Sequence, residues 1–306
     1  MLNKYKYHIL LHLIIFMWGF TSILGKLIHL DAFVIVWHRV LIAFVALGIG
    51  LVYLKKSFKI NSKTNLWKVF GVGIIVALHW MTFYKSIQLS TASLGILCLS
   101  TTTIHVTWLE PLIMKRKFSW IEFSLGLLVI YGIYFVSSDF KADDFEALVY
   151  GLTSALCAAL FSVFNARLAQ DIPSSTITFY ELLIGFIFMS VVLLFTGDLN
   201  EDLFTMTMSD FLWLVFLGIL CTSFAFLATI EVVKRLGAFT VSLSINLEPV
   251  YTILLAIVIL NENELLGSHF YIGSGIIVIV VIANALIKYQ LSRYEAKKEK
   301  KNLTRD

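Results

Sequence analysis

Glu248 lies near the centre of an apolar stretch running from 238 to 260. An acid at that depth of a lipid layer costs about 2.5 to 3.5 kcal/mol, so it must face the interior of a helix bundle or water. Gly237, Thr240, Ser244, Glu248 and Tyr251 recur at three- and four-residue steps and make one small, polar helix face. Pro249 removes a backbone donor and leaves the carbonyl of Ile245 without its usual partner. A freed carbonyl beside a carboxylate suits a cation, a proton or an amine. For Gly237 and Ser244 the plainer account is close helix packing, which small residues permit in membranes.

Other polar residues inside apolar stretches could complete such a site. Thr101 and His105 are one turn apart, and a histidine can share a proton with a carboxylate near neutral pH. Equally, the threonine can bond back to its own helix and the histidine merely bridge helices. Arg39 is roughly 9 Å inside one edge of its stretch at about 1.5 Å per residue. It can snorkel outward or hold a substrate carboxylate in a forked contact. Glu181 lies a similar depth from the opposite edge, so the two are not expected to pair, and Glu181 reads as a gate or structural charge. Trp18, Ser22 and Gly25 share one face, as do Ser154, Ala158 and Asn165, and His79 and Thr82, with Trp80 and Tyr84 nearby. Trp18 can stack on an apolar or cationic solute. Trp67, Trp120 and Trp213 read as interface anchors.

Enzyme signatures are scarce: there is no phosphate-binding glycine loop, metalloprotease histidine pair or nucleophile elbow. His8 and His12 are one turn apart but lack a third ligand nearby, and Cys98, Cys157 and Cys221 read as small apolar residues. No metal or cofactor is expected, and uphill movement of a solute would draw on a gradient rather than ATP.

The elements that must position these residues are membrane helices. The 306 residues are 59% hydrophobic and only 14% charged, against roughly a quarter charged in soluble domains. Apolar stretches long enough to cross a ~30 Å layer recur near 9–28, 33–53, 66–84, 92–113, 120–137, 147–166, 176–196, 210–230, 238–260 and 267–287. The first lacks a small-residue cleavage site and reads as a retained span rather than a signal peptide. Lys4 and Lys6, Lys55 to Lys68, Lys115 to Lys117, Arg167, Lys234 and Arg235, and the tail from Lys288 all fall on one side. Acidic Asp139 to Glu146, Asp198 to Asp210, Glu262 and Glu264 fall on the other, with Lys85 and Lys141 dissenting. The positive-inside rule then puts both termini in the cytoplasm. The tail reads as an orientation signal that also meets anionic lipid, with no nucleic acid as partner.

Leu236 to Gly273 can be laid on Leu89 to Gly126, pairing Glu248 with Thr101. Each half holds an odd number of spans, so the duplication is inverted, an architecture of secondary transporters. Trp18-Gly19 with Lys26, then Trp37-His38-Arg39, then Leu236-Gly237-Ala238, Leu247-Glu248-Pro249, Leu260-Asn261-Glu262 and Gly273 resemble the pattern of EamA units in the drug/metabolite transporter superfamily. The resemblance covers nearly the whole chain as two units, 5–137 and 147–288, followed by a basic cytoplasmic tail, 289–306. It implies an all-α polytopic permease of ten transmembrane helices, two inverted five-helix repeats around a central cavity.

The expected activity is movement of a small metabolite, an amino acid or related amphiphile, across the cytoplasmic membrane by alternating access with proton-coupled export. Glu248, Thr101, His105, Trp18, Tyr251, Ser244, His79 and Asn165 are the expected lining residues, with Arg39 at the outer entrance. The partners are substrate, protons or another coupling ion, and membrane lipids. A membrane-embedded enzyme on lipid or isoprenoid would need a catalytic cluster at one face, and a passive channel a continuous polar pore. The orientation predicts that a fluorescent protein fused after the tail gives bright cells while alkaline phosphatase fused there stays inactive; active phosphatase would overturn it.

Overall fold

The computed structural model describes residues 2–115, 117–137, 145–236, 244–245, 247–261 and, beyond these, 267–269, 271–276, 278–280, 282–283, 286–287 and 290. Gly237 and Thr240, the acidic loops 139–144 and 262–266, and the tail 289–306 lie outside the described residues, apart from Gln290. In lipid every backbone polar group must be bonded internally, and runs that are apolar all round meet that demand as helices. The described residues form α1 (Leu2–Leu27), α2 (Ala32–Tyr53), α3 (Lys63–Leu89), α4 (Ala92–Ser100), α5 (Thr102–Met114), α6 (Trp120–Ser137), α7 (Phe145–Leu168), α8 (Ser174–Thr196), α9 (Met208–Gly218), α10 (Ala225–Leu236) and α11 (Glu248–Leu260). A π-helical segment, Ile219–Phe224, joins α9 to α10.

Polar residues at the connections set where helices start. The Asp31 carboxylate accepts from Phe33 N, Ser62 from Asn65 N and Thr91 from Leu94 N, each satisfying a donor that the first turn leaves open. Thr207 and Asp210 form a reciprocal capping box, and Asp210 also accepts from the His29 backbone N–H at 2.9 Å. That contact ties the α1–α2 connection to the start of α9. Gly197, at φ 85°, ends α8 in the left-handed conformation.

Among the described residues seven helical stretches are long and apolar enough to cross a membrane, and Trp120–Gly132, Tyr251–Leu260 and Tyr271–Val280 are shorter apolar helices. These shorter helices fall where the fifth, ninth and tenth stretches were expected. The fourth stretch is not a single helix. Thr101 interrupts it, with its Oγ1 donating to the Cys98 carbonyl at 2.6 Å, and separates α4 from α5. In the second half Leu247, at ψ −11°, precedes α11, as Thr101, at ψ −12°, precedes α5. Both α5 and α11 have 13 residues, and both end on a left-handed residue, Lys115 and Asn261. Pro249 is therefore not a defect in a continuous helix. It sits in the first turn of α11, where its missing N–H would have had no partner.

The main buried cluster joins α1, α2 and α3 to α8 and α9. Here α2 packs on α8 and α9, α3 on α7 and α8, and α1 on α10 and α11, while α4 lies against α11. Two glycines fix the approach of helices around the polar residues. At Gly19 a Cβ would sit 3.2 Å from Thr252 Oγ1, and Thr252 donates to the Gly19 carbonyl at 3.1 Å, so α1 and α11 touch through backbone. At Gly218 a Cβ would sit 2.7 Å from Ile42 Cγ2 and 3.3 Å from the Arg39 carbonyl. Gly218→Ala should therefore destabilise the purified protein by about 1–3 kcal/mol through overpacking, with partial recovery in the Gly218→Ala/Ile42→Ala double variant, read by thermal unfolding in detergent.

Candidate substrate and coupling site

Arg39 lies on α2 with only 3% of its surface exposed, which overturns the expectation that it can snorkel outward. Its guanidinium carbon stands 4.2 Å from the centre of the Trp80 ring, and Nε donates to Thr222 Oγ1 at 2.8 Å. Nη1 donates to Tyr84 Oη at 3.3 Å, and Tyr84 in turn donates to the Thr21 carbonyl at 3.5 Å. The π-helical segment positions the acceptor, because Thr222 Oγ1 donates to the Leu217 carbonyl, five residues back, at 2.8 Å. Gly218 brings that segment against α2. Two of the five N–H donors of Arg39 are thus used among the described residues.

Glu248 is the first residue of α11 and is 7% exposed. Its carboxylate has no hydrogen bond with any described residue. It interacts electrostatically with Arg39, yet the two do not form an ion pair within 4.0 Å. Placement in a first turn favours an acid, since the helix N-terminus carries partial positive charge. An aromatic wall extends from Trp80, the ring against the arginine. Trp18 and Trp80 both meet Phe226, at 6.3 and 5.6 Å between ring centres, and Phe161 meets it at 6.4 Å. His79 continues the wall at 5.3 Å from Phe161. A fixed cation, an acid without a hydrogen bond to any described residue and an aromatic wall can receive a solute with both an anionic and a cationic group.

The family model described as the EamA-like transporter family matches residues 6–138 and 146–286. The chain belongs to this family. It is 27% identical over 224 residues to the uncharacterized transporter YdfC of Bacillus subtilis, covering 69% of this chain and 70% of that one. It is 23% identical over 268 residues to an uncharacterized transporter of Archaeoglobus fulgidus, covering 84% and 90%. A crystal structure shares the fold with a TM-score of 0.68 at 14% identity, over 94% of this chain and 98% of the other. The EamA chain is accordingly a multi-pass membrane protein of a transporter family rather than an enzyme family, and its partners are a small-molecule substrate and membrane lipids.

Within this EamA fold the expected site residues separate. Trp18 stands in the aromatic wall. Thr101 is buried, but its hydroxyl is spent on the Cys98 carbonyl. His105 is half-buried on α5, which packs on α6 and α7, and its ring meets Trp108 edge-on at 6.4 Å; no hydrogen bond joins it to Glu248. Tyr251 turns to α1, with its ring against Phe16 at 6.0 Å and its hydroxyl 3.4 Å from His12 Nδ1. Ser244 is half-buried. His79 is buried and held by Ser154, whose Oγ lies 2.8 Å from its Nδ1. Asn165 bonds Glu181, apart from Arg39. Thr222 and Phe226 escaped sequence reasoning. Their signal was the four-residue spacing Gly218, Thr222, Phe226, a small, polar and aromatic face in an otherwise apolar run.

Removing the acceptor of a buried charged donor should cost more than removing a hydroxyl that bonds nothing. Thr222→Val should lower stability by about 1–3 kcal/mol. Ser22→Ala, which deletes a buried Oγ without a partner, should leave stability equal or higher in the same thermal melts.

Proposed function

We propose that this EamA-family chain is a secondary transporter of the cytoplasmic membrane, with ten membrane helices in two inverted five-helix repeats and both termini in the cytoplasm. It moves a small metabolite carrying a carboxylate and an ammonium group, an amino acid or related amphiphile, by alternating access. The observation that carries this reading is that, among the described residues, buried Arg39 keeps donors unused while the buried carboxylate of Glu248 has no hydrogen bond. The carboxylate of the solute takes the guanidinium, its ammonium group takes Glu248, and Trp18, Trp80 and Phe226 cover its apolar part.

The matched lengths and caps of α5 and α11 support the inverted repeat and the rocking motion, since helix starts at a repeat interface are the usual site of binding in such folds. Coupling follows from exclusion. Glu248 can hold a proton or an ammonium group but not both, so each binding step displaces the other and substrate leaves in exchange for an entering proton. A low-dielectric wall strengthens both interactions.

The decisive measurement is flux of an amino-acid library in proteoliposomes, with and without an imposed pH gradient. Glu248→Gln should lower transport of cationic and zwitterionic solutes about tenfold or more, in line with the ~1.5–3 kcal/mol of a charge-assisted hydrogen bond, and abolish its dependence on the gradient. Arg39→Lys keeps the charge but loses the fork and the stacking, and should lower carboxylate-bearing solutes about tenfold or more on the same basis. Normal, gradient-dependent flux in Glu248→Gln contradicts the scheme.

A further inference from the structure

Glu181 is a buried acid that this scheme leaves unused. It lies on α8 with 1% of its surface exposed, and a Cβ on Gly73 of α3 would meet its Cα at 3.2 Å. Asn165 of α7 donates from Nδ2 to Glu181 Oε2 at 3.2 Å. The other oxygen of each group, Glu181 Oε1 and Asn165 Oδ1, is buried without a hydrogen-bond partner. Two acceptors thus stand in one contact with one donor too few, although buried polar atoms in folded proteins are nearly always satisfied.

No charged side chain of a described residue resolves this. On α7, Arg167 is exposed and bonded to Gln170; on α3, Lys68 is exposed and His79 is bound to Ser154. On α2, His38 bonds the Val34 carbonyl and Arg39 bonds Thr222 and Tyr84. The side chains of Glu231, Lys234 and Arg235 on α10 lie outside the described residues.

We propose that Glu181 and Asn165 together hold one proton, in a ring of two hydrogen bonds. The protonated Oε1 donates to Asn165 Oδ1 while Nδ2 donates to Oε2. One O–H bond forms on Glu181 Oε1 as one breaks on the hydronium that delivers the proton, leaving water, and both orphaned acceptors are satisfied together. A metal cation would call for a cage of several oxygens, whereas a proton needs only two that face each other. Thr178 and Ser174 precede Glu181 on the same face of α8, and their buried hydroxyls also have no partner. They mark a polar line from the first turn of α8 to the acid, along which water can carry the proton. Losing the proton leaves a bare charge between α3, α7 and α8 and favours entry of water from that end, which makes the pair a protonation-controlled gate. This site is separate from the coupling role proposed for Glu248 and stands if Glu248 binds substrate alone.

Infrared difference spectroscopy of the protein in lipid nanodiscs, in light and heavy water, tests it on a Glu248→Gln background. Any band from Glu248 is then absent, so failure of the Glu248 reading leaves this result untouched. A protonated-carboxyl C=O band that shifts down in heavy water is expected at neutral pH. Glu181→Gln should remove it, and Asn165→Leu, which keeps the acid, should move it to higher frequency as the ring is lost. Absence of a Glu181-dependent band, or a band indifferent to Asn165→Leu, overturns the proposal. Loss of the band on adding sodium at constant pH overturns it in favour of a cation site.

Discussion

A guanidinium held inside a membrane bundle cannot shed its charge, so its surroundings must replace the water it has lost. Arg39 obliges its neighbours to do so. Trp80 supplies a π face, Tyr84 and Thr222 supply oxygen acceptors, and no carboxylate of a described residue bonds it. Each of these needs support of its own. Gly218 removes the side chain that would hold α9 away from α2, the π-helical segment aims Thr222, and Gly25 leaves room for the Tyr84 ring, whose Cδ1 would lie 2.9 Å from a Cβ there. π-helical segments are rare and gather at functional sites. This one exists at the position where a regular helix would turn Thr222 elsewhere.

The backbone of the two halves is more alike than their chemistry. Both α5 and α11 run for 13 residues and end in a left-handed cap. Their starts are 146 positions apart, one fewer than the sequence alignment gave, so Thr102 rather than Thr101 is the partner of Glu248 in helix register. One half thus opens its second helix with a hydroxyl and the other with an acid. Two helix starts alike in backbone thus differ in charge, since only one of them offers a negative group.

The separation of Arg39 from Glu181 follows from how α2 and α8 run. Trp37 bonds Ser190 at 2.9 Å, while Gly48 meets Phe179 with a would-be Cβ contact of 3.1 Å, so the helices are antiparallel. Arg39 then lies level with the later part of α8, and Glu181 with the later part of α2. The buried guanidinium of Arg39 and the buried carboxyl of Glu181 are kept at different depths, each with polar partners of its own. Breaking a direct buried pair is costly, and a transporter that must release its ligands gains from acids and bases that do not neutralise each other.

Composition and hydropathy alone determined that the chain lies in a membrane, because a run of about 20 apolar residues has few other uses. The Trp18-Gly19, Trp37-His38-Arg39 and Leu247-Glu248-Pro249 motifs were enough to identify the EamA family. Burial of Glu248 was legible too, since its neighbours in sequence are apolar. What the linear pattern left open was direction. Spacing tells which residues share a face but not which helix that face meets, so Tyr251 was grouped with Glu248 although it turns to Phe16 and His12. The break at Thr101 was hidden for a related reason, as interruption of a helix depends on side-chain hydrogen bonds and on what packs beside it. Only the tertiary structure brought Thr222 and Trp80, some 140 residues apart in sequence, to one guanidinium, because contacts between distant helices are fixed by packing and not by period.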